Sequence, residues 1–348
     1  NTKKLPFLSD YMYACHPLIL KRIAETADTP FFGYGDDEIC DSAKEKIRSA
    51  LRAPKAEIFF LIGGTPTNVI AIDALIPPYQ GVLAAESGHI SIREAGAVEA
   101  TGHKIVTLAP TNGKIMAQNV QSYLRAFYAD ETWKHGVEPG MLYITHPTET
   151  GTLYSLSELK ELSKVCHDNH LKLYLDGARL GYGLAATTGS DISLSDIASL
   201  CDAFYIGGTK IGALMGEALV FPEPNTVSHI FSQVKRHNNL LAKGWLLGLQ
   251  FDTLFTNNLY LSLARHGILM AEKLKKGILE KGFKLFADSP TNQQFIIMTI
   301  ADYHRLSENV DCEIWQELPD QQVAVRLCTS WHTTEEQVDR LLDLLKFP

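Results

Sequence analysis

Short apolar runs and longer stretches with helical spacing take turns along most of this chain. Residues 58–62 form an apolar run of strand length, and 67–75 after it carry a helical pattern. The pairing recurs as 82–85 with 90–100, 104–108 with 120–133, and 141–145 with 156–170. Two more apolar runs, 171–175 and 203–206, read as buried parallel strands, and 214–221 as a further strand. Such alternation predicts an α/β fold, a mostly parallel sheet sandwiched by helices.

Beyond Pro222 and Pro224 the pattern changes. Residues 227–281 read as long helix with few breaks. Strand-like segments follow at 283–286, 294–300 and 323–329, then an amphipathic helix at 335–345. The expected organisation is an N-terminal arm plus a large domain over 1–240, and a smaller C-terminal α+β domain over 241–348. The first fifty residues read as an arm and a loop before a helix, with turn chemistry in Gly33-Tyr34-Gly35-Asp36-Asp37.

Composition narrows the function classes. A hydrophobic content of 45% and a charged content of 21% over 348 residues allow an ordinary buried core. A formal net charge of −8 with no basic cluster argues against a nucleic-acid partner. No apolar run approaches a membrane span, and no signal-peptide core stands near Asn1, so no membrane association is expected. Cys15, Cys40, Cys166, Cys201, Cys312 and Cys328 form no C-x-x-C pair. Their spacing suits neither a metal site nor a disulfide framework, and a reduced, cytoplasmic compartment is the simplest reading.

Chemistry concentrates at strand ends. Asp176 closes Leu173-Tyr174-Leu175-Asp176 and Lys210 closes Tyr205-Ile206-Gly207-Gly208-Thr209-Lys210. A carboxylate and an amine at the carboxyl ends of neighbouring strands lie where open α/β sheets bind ligands. Pyridoxal phosphate needs that pair, a lysine to carry it as a Schiff base and an acid to keep its ring nitrogen protonated. Gly63-Gly64-Thr65-Pro66-Thr67-Asn68 opens a helix after the first buried strand, with glycines for close approach and free N–H groups for a phosphate. Each element alone has a plainer reading: a tight turn for the glycines, an Asp176–Arg179 ion pair, a solvent-reaching lysine. In this order the three together point to the cofactor.

The chain resembles the threonine aldolase family, within the aspartate-aminotransferase-like fold. The likeness is carried by Gly33-Tyr34-Gly35-Asp36-Asp37, the Gly63–Asn68 stretch, Gly88-His89-Ile90, Leu175-Asp176-Gly177-Ala178-Arg179 and Gly207-Gly208-Thr209-Lys210. Ala242-Lys243-Gly244-Trp245 and Val325-Arg326-Leu327-Cys328-Thr329-Ser330-Trp331 complete it. The resemblance implies that Lys210 holds the cofactor, Asp176 pairs with its ring nitrogen, and Arg179 lies beside its phenolic oxygen. Gly64, Thr65 and Thr209 would hold the phosphate, and His89 would stack on the ring. Arg326 would clamp the substrate carboxylate, with Ser9 beside it.

Two positions depart from the family. Glu149, in Pro147-Thr148-Glu149-Thr150, stands where many members have a histidine, and His146 lies nearby. Lys243 stands where an arginine often arrives from a neighbouring subunit. The implied activity is cleavage of L-threonine or L-allo-threonine to glycine and acetaldehyde, with His89, Glu149 or a bound water as base. Other reactions of the same scaffold remain open: aryl-serine cleavage, β-elimination or racemisation. So does a cofactor-free binding role. A homodimer or homotetramer with shared active sites is implied, with Tyr34 and Lys243 crossing between subunits.

Overall fold

The computed structural model describes residues 4–346. The chain begins with a two-residue strand, β1 (Leu5–Pro6), and enters its main sheet at β2 (Glu57–Leu61). It continues through β3 (Gln80–Ala85), β4 (Ile105–Leu108), β5 (Glu138–Thr145), β6 (Lys172–Asp176), β7 (Ala203–Gly207) and β8 (Glu217–Phe221). These seven lie side by side in the order β2-β8-β7-β6-β5-β3-β4. The neighbours β4, β3, β5, β6 and β7 run parallel, while β8 runs antiparallel to both β7 and β2.

Alternate residues of each strand face opposite ways, so a sheet covered on both sides must be apolar on both. Leu83, Leu142, Leu173, Leu175, Phe204 and Ile206 enter one hydrophobic cluster. Their neighbours Val82, Ala84, Met141, Tyr174 and Tyr205 enter the other. Helices cover both faces: Gly64–Leu75 and Ile230–Arg236 contribute to the second cluster, Glu38–Leu51, Leu156–Asp168 and Trp245–Leu254 to the first. The architecture is the α/β sandwich expected from the alternation.

A four-stranded antiparallel sheet follows, built from β9 (Lys284–Ala287), β10 (Gln293–Thr299), β12 (Glu313–Leu318) and β13 (Gln322–Cys328) in the order β12-β13-β10-β9. Between β10 and β12 lie the helix Ile300–Ser307 and the short β11 (Val310–Asp311), which pairs with β1. The third hydrophobic cluster joins Leu5 and Phe7 of the arm to residues between Met270 and Leu345. Trp245–Leu254, by contrast, packs on Glu38–Leu51 in the first cluster.

Three local expectations need correction. The long helix of 227–281 is three helices, Ile230–Arg236, Trp245–Leu254 and Leu259–Glu280. Its breaks fall at asparagines in the left-handed region, Asn238 (φ 58), Asn257 (φ 52) and Asn258 (φ 59), where asparagine is the best tolerated non-glycine residue. The helix of 90–100 is a single turn, His89–Ile92, and the left-handed Ala95 (φ 53) and Gly96 (φ 75) beyond it keep the helix from continuing. The first fifty residues hold two helices, Pro17–Glu25 and Glu38–Leu51, rather than one. Among the described residues no helix is long and apolar enough to cross a membrane.

Candidate active site

The carboxyl ends of β2, β3, β5, β6 and β7 meet on one edge of the main sheet, and the turns that leave them enclose a cavity of about 290 Å³. Eight residues singled out from the sequence line it. Gly64 and Thr65 follow β2, His89 follows β3, and Glu149 follows β5. Asp176 and Arg179 come from the end of β6, Thr209 and Lys210 from the turn after β7.

Asp176 ends β6 almost fully buried. Its Oδ1 accepts from the Tyr205 hydroxyl (2.6 Å) and the Ala178 N–H (3.0 Å). Its Oδ2 accepts from the Tyr143 hydroxyl (2.7 Å) and the Asn68 amide (3.0 Å). All four donors are neutral. Burying a carboxylate is costly without a compensating cation, and none of the described cations pairs with Asp176. Arg179, considered above as its partner, instead grips Asp10 of the arm with two hydrogen bonds of 2.7 and 3.0 Å. The Asn292 amide adds a third bond to Asp10. Burial opposes ionisation of Asp10, but Arg179 and Lys210 outweigh it and hold its carboxyl below the usual range.

Lys210 is held by its own backbone, whose carbonyl accepts from the Tyr182 hydroxyl (2.9 Å). Burial, and then the nearby Arg179, push its amine below the ordinary lysine value. A lysine so treated is a nucleophile toward a carbonyl. Close by stands Glu217, which the sequence did not single out. It begins β8 and, because that strand runs backward, its pairing with Leu61 and Gly207 sets it between the ends of β2 and β7. Its Oε2 accepts the Gly208 N–H (2.9 Å), and burial pushes its pKa up to about 7. A signal was present: the segment 208–216 is shorter than the dozen residues a parallel crossover needs.

The phosphate-like end is a helix start. Gly64–Leu75 has no side-chain cap, so its first N–H groups are open beside the cavity. A Cβ on Gly64 would come within 3.1 Å of the Tyr205 hydroxyl, so the backbone lies close to the cavity floor. Thr209 faces the same space, but its hydroxyl accepts from the Gly216 N–H (3.0 Å).

On the opposite wall, His89 Nδ1 lies 2.7 Å from Glu94 Oε1. Glu149 Oε1 accepts both the His89 N–H (2.9 Å) and the Thr145 hydroxyl (2.7 Å), while its Oε2 is buried without a partner. Burial pushes the Glu149 carboxyl up from its ordinary value. His146 is turned away: its Nδ1 accepts from the Tyr154 N–H, and burial lowers its pKa to about 4.

Four of the expected residues lie outside the cavity lining. Arg326 on β13 donates to the Leu8 carbonyl and Gln293, pairs with Glu313 at 2.5 Å and stacks on Trp315. Its buried Nε has no partner, nor has the buried hydroxyl of Ser9, which follows Leu8. Tyr34 is 47% exposed, and Lys243 is also exposed. They belong to touching segments, because the Tyr34 N–H donates to the Ala242 carbonyl.

The residues fit pyridoxal phosphate. A buried carboxylate lacking a cation suits a pyridinium N–H, an uncapped helix start suits a phosphate, and a desolvated lysine lines the same cavity. Together the fold and the site define an enzyme of the pyridoxal-phosphate class with the aspartate-aminotransferase architecture. Comparison with known proteins agrees. The sequence profile of the family described as Beta-eliminating lyase matches residues 22–301. A low specificity L-threonine aldolase from a Pseudomonas strain is 28% identical over 269 residues, 76% of this chain and 76% of that one. The solved threonine aldolase of Leishmania major is 39% identical, covers 98% of each chain and superposes with a TM-score of 0.94. An aspartate aminotransferase of Thermus thermophilus, at 15% identity, shares the fold with a TM-score of 0.70 over 98% of this chain and 90% of its own. The chain belongs to the beta-eliminating lyase family and, within it, to the threonine aldolases.

Proposed function

We infer that the protein cleaves L-threonine and L-allo-threonine to glycine and acetaldehyde. The observation that carries this reading is that Asp176 and Lys210 line one small cavity at the carboxyl edge of the sheet. Pyridoxal phosphate, held at Lys210, Asp176, Gly64 and Thr65 with His89 against its ring, would supply a sink for the electron pair of a breaking Cα–Cβ bond. The chain's own residues do the rest. Asp176, fixed by four donors, would hold a proton on the ring nitrogen of the bound cofactor. The unpartnered Arg326 Nε and Ser9 hydroxyl support a carboxylate subsite there, because buried donors without partners are costly until a ligand satisfies them. Holding the carboxylate orients the bond that breaks. His89 Nε2 and Glu149 Oε2 are the two groups on the opposite wall able to handle the β-hydroxyl proton. Arg179 contributes its positive charge beside Lys210 while it fastens the arm through Asp10.

We also read Tyr34 and Lys243 as residues that serve the site of a second subunit. Their exposure on touching segments outside their own cavity supports this. A cytoplasmic home accords with six free, buried cysteines. The deciding experiment is aldehyde release from both threonine diastereomers by cofactor-loaded protein. Acetaldehyde and glycine in equal amounts, lost by at least about 1,000-fold in Lys210→Ala, are expected. Ammonia without aldehyde would overturn the aldolase reading in favour of elimination.

A further inference from the structure

Beneath His89 lies a buried chain of polar groups that the assignment of the cofactor does not use. Glu94 is wholly buried at the side chain, and its Oε1 accepts both His89 Nδ1 (2.7 Å) and the Asn68 amide (2.8 Å). The same Asn68 nitrogen donates to Asp176 Oδ2 (3.0 Å), and the Tyr174 hydroxyl donates to Asn68 Oδ1 (3.0 Å). The amide can stand only this way round, since its oxygen turned toward two carboxylates would be repelled. Glu94 Oε2 is buried without a partner. All hydrogen bonding to this carboxyl therefore enters through one oxygen, from one amide and one imidazole. Glu94 reaches this position because the helix begun at His89 ends at Ile92, with Arg93 already outside helical geometry.

A carboxylate on Nδ1 fixes the imidazole tautomer: Nδ1 carries the proton and Nε2 is left as the acceptor. Nε2 has no partner among the described residues, and His89 lines the cavity with its side chain 42% exposed. We propose that Glu94 is the positioning residue for His89, held in place by Asn68, and that it makes His89 Nε2, rather than Glu149, the acceptor of the β-hydroxyl proton. This rests on the aldolase reading. As the proton passes from the β-oxygen to Nε2, the O–H pair becomes the second carbon–oxygen bond of the aldehyde. The Cα–Cβ pair stays with Cα, where a returned proton completes glycine. The imidazolium so formed lies against the Glu94 carboxylate, opposite charges in a low-dielectric site. Glu149 is the poorer acceptor. Its free Oε2 is fully buried, whereas His89 Nε2 belongs to a side chain open to the cavity, and that burial favours the protonated acid.

Two measurements test this on the cofactor-loaded enzyme. In protein with 15N-labelled histidine, the ring nitrogens of His89 should show the proton on Nδ1. A proton found on Nε2 would overturn the proposal, whatever the variants do. In Glu94→Gln, kcat should fall about 100-fold or more, with KM within about threefold and the cofactor absorption unchanged. In Glu149→Gln, the loss should stay below about tenfold. A Glu94→Gln enzyme within about threefold of the parent kcat, or a larger loss in Glu149→Gln, would reject the assignment. Absence of aldehyde from the parent enzyme would sink the aldolase reading instead, and the tautomer would still decide the placement of Glu94.

Discussion

Single side chains at this site work against their surroundings. Asp176 is a buried anion answered only by neutral donors, Lys210 a buried amine pushed toward neutrality, and Glu217 a buried acid pushed up to about 7. The last has a measurable consequence. Folded, Glu217 keeps its proton until about pH 7; unfolded, it releases it near the ordinary value of 4.5. Between those limits the folded state binds the extra proton, so stability falls as pH rises, by about 1.4 kcal/mol per unit at most. Thermal denaturation of the cofactor-free protein at pH 5 to 8 should show this loss, and Glu217→Gln should flatten it. An unchanged slope in the variant would assign the effect elsewhere. A site built from such groups also explains why composition said little about it: each residue is ordinary until burial changes its chemistry.

Among the elements, the turns after the strands carry the function and the strands only aim them. The turn after β6 shows how tightly they are packed. A Cβ on Gly177 would run into the Tyr205 carbonyl of β7. Because a backbone atom cannot step aside as a side-chain tip can, Gly177→Ala should cost about 3 kcal/mol and disturb both Asp176 and Lys210. Lower melting temperature together with weakened cofactor retention would register it; a variant as stable as the parent would contradict the packing. At this scale much was legible from the chain. Apolar runs bounded by glycine placed β2, β3, β5, β6 and β7, and therefore the edge on which Asp176, Lys210 and Gly64 meet. The reversal of β8 hid Glu217, since residue pattern shows that a strand exists and not which way it points. The roles of Asp10, Asn68 and Glu94 were hidden for another reason: their partners lie 169, 108 and five residues away along the chain, and only folding introduces them. The β12 strand escaped because the consecutive Gln316 and Glu317, both exposed, interrupt its apolar alternation.

For the whole molecule, the surface around Tyr34 matters most. Phe32 is 79% exposed, and Phe231 and Tyr34 are also exposed, the latter under the Lys235 ammonium, a concentration of aromatic area unusual for a free surface. The expected oligomer would cover it. If Lys243 completes a neighbour's site, Lys210→Ala and Lys243→Ala proteins should each be impaired alone. Unfolded and refolded together as a dimer, they should regain about a quarter of parent activity, because half the dimers carry one intact site. No recovery in dimers shown to have exchanged subunits would confine each site to one chain.

The arm adds a constraint in time. Leu5 and Pro6 hydrogen-bond beside Val310 and Asp311, Asp10 grips Arg179, and Arg326 reaches back to the Leu8 carbonyl. On the ribosome, the arm must therefore wait for β11, some three hundred residues further along the chain. The main sheet has all its strands once residue 221 has emerged, yet the arm has no strand to join until a further ninety residues are translated. A truncated or stalled product would carry Lys210 and Asp176 in an unfinished pocket. Reactive chemistry is thereby withheld until the second sheet has been made.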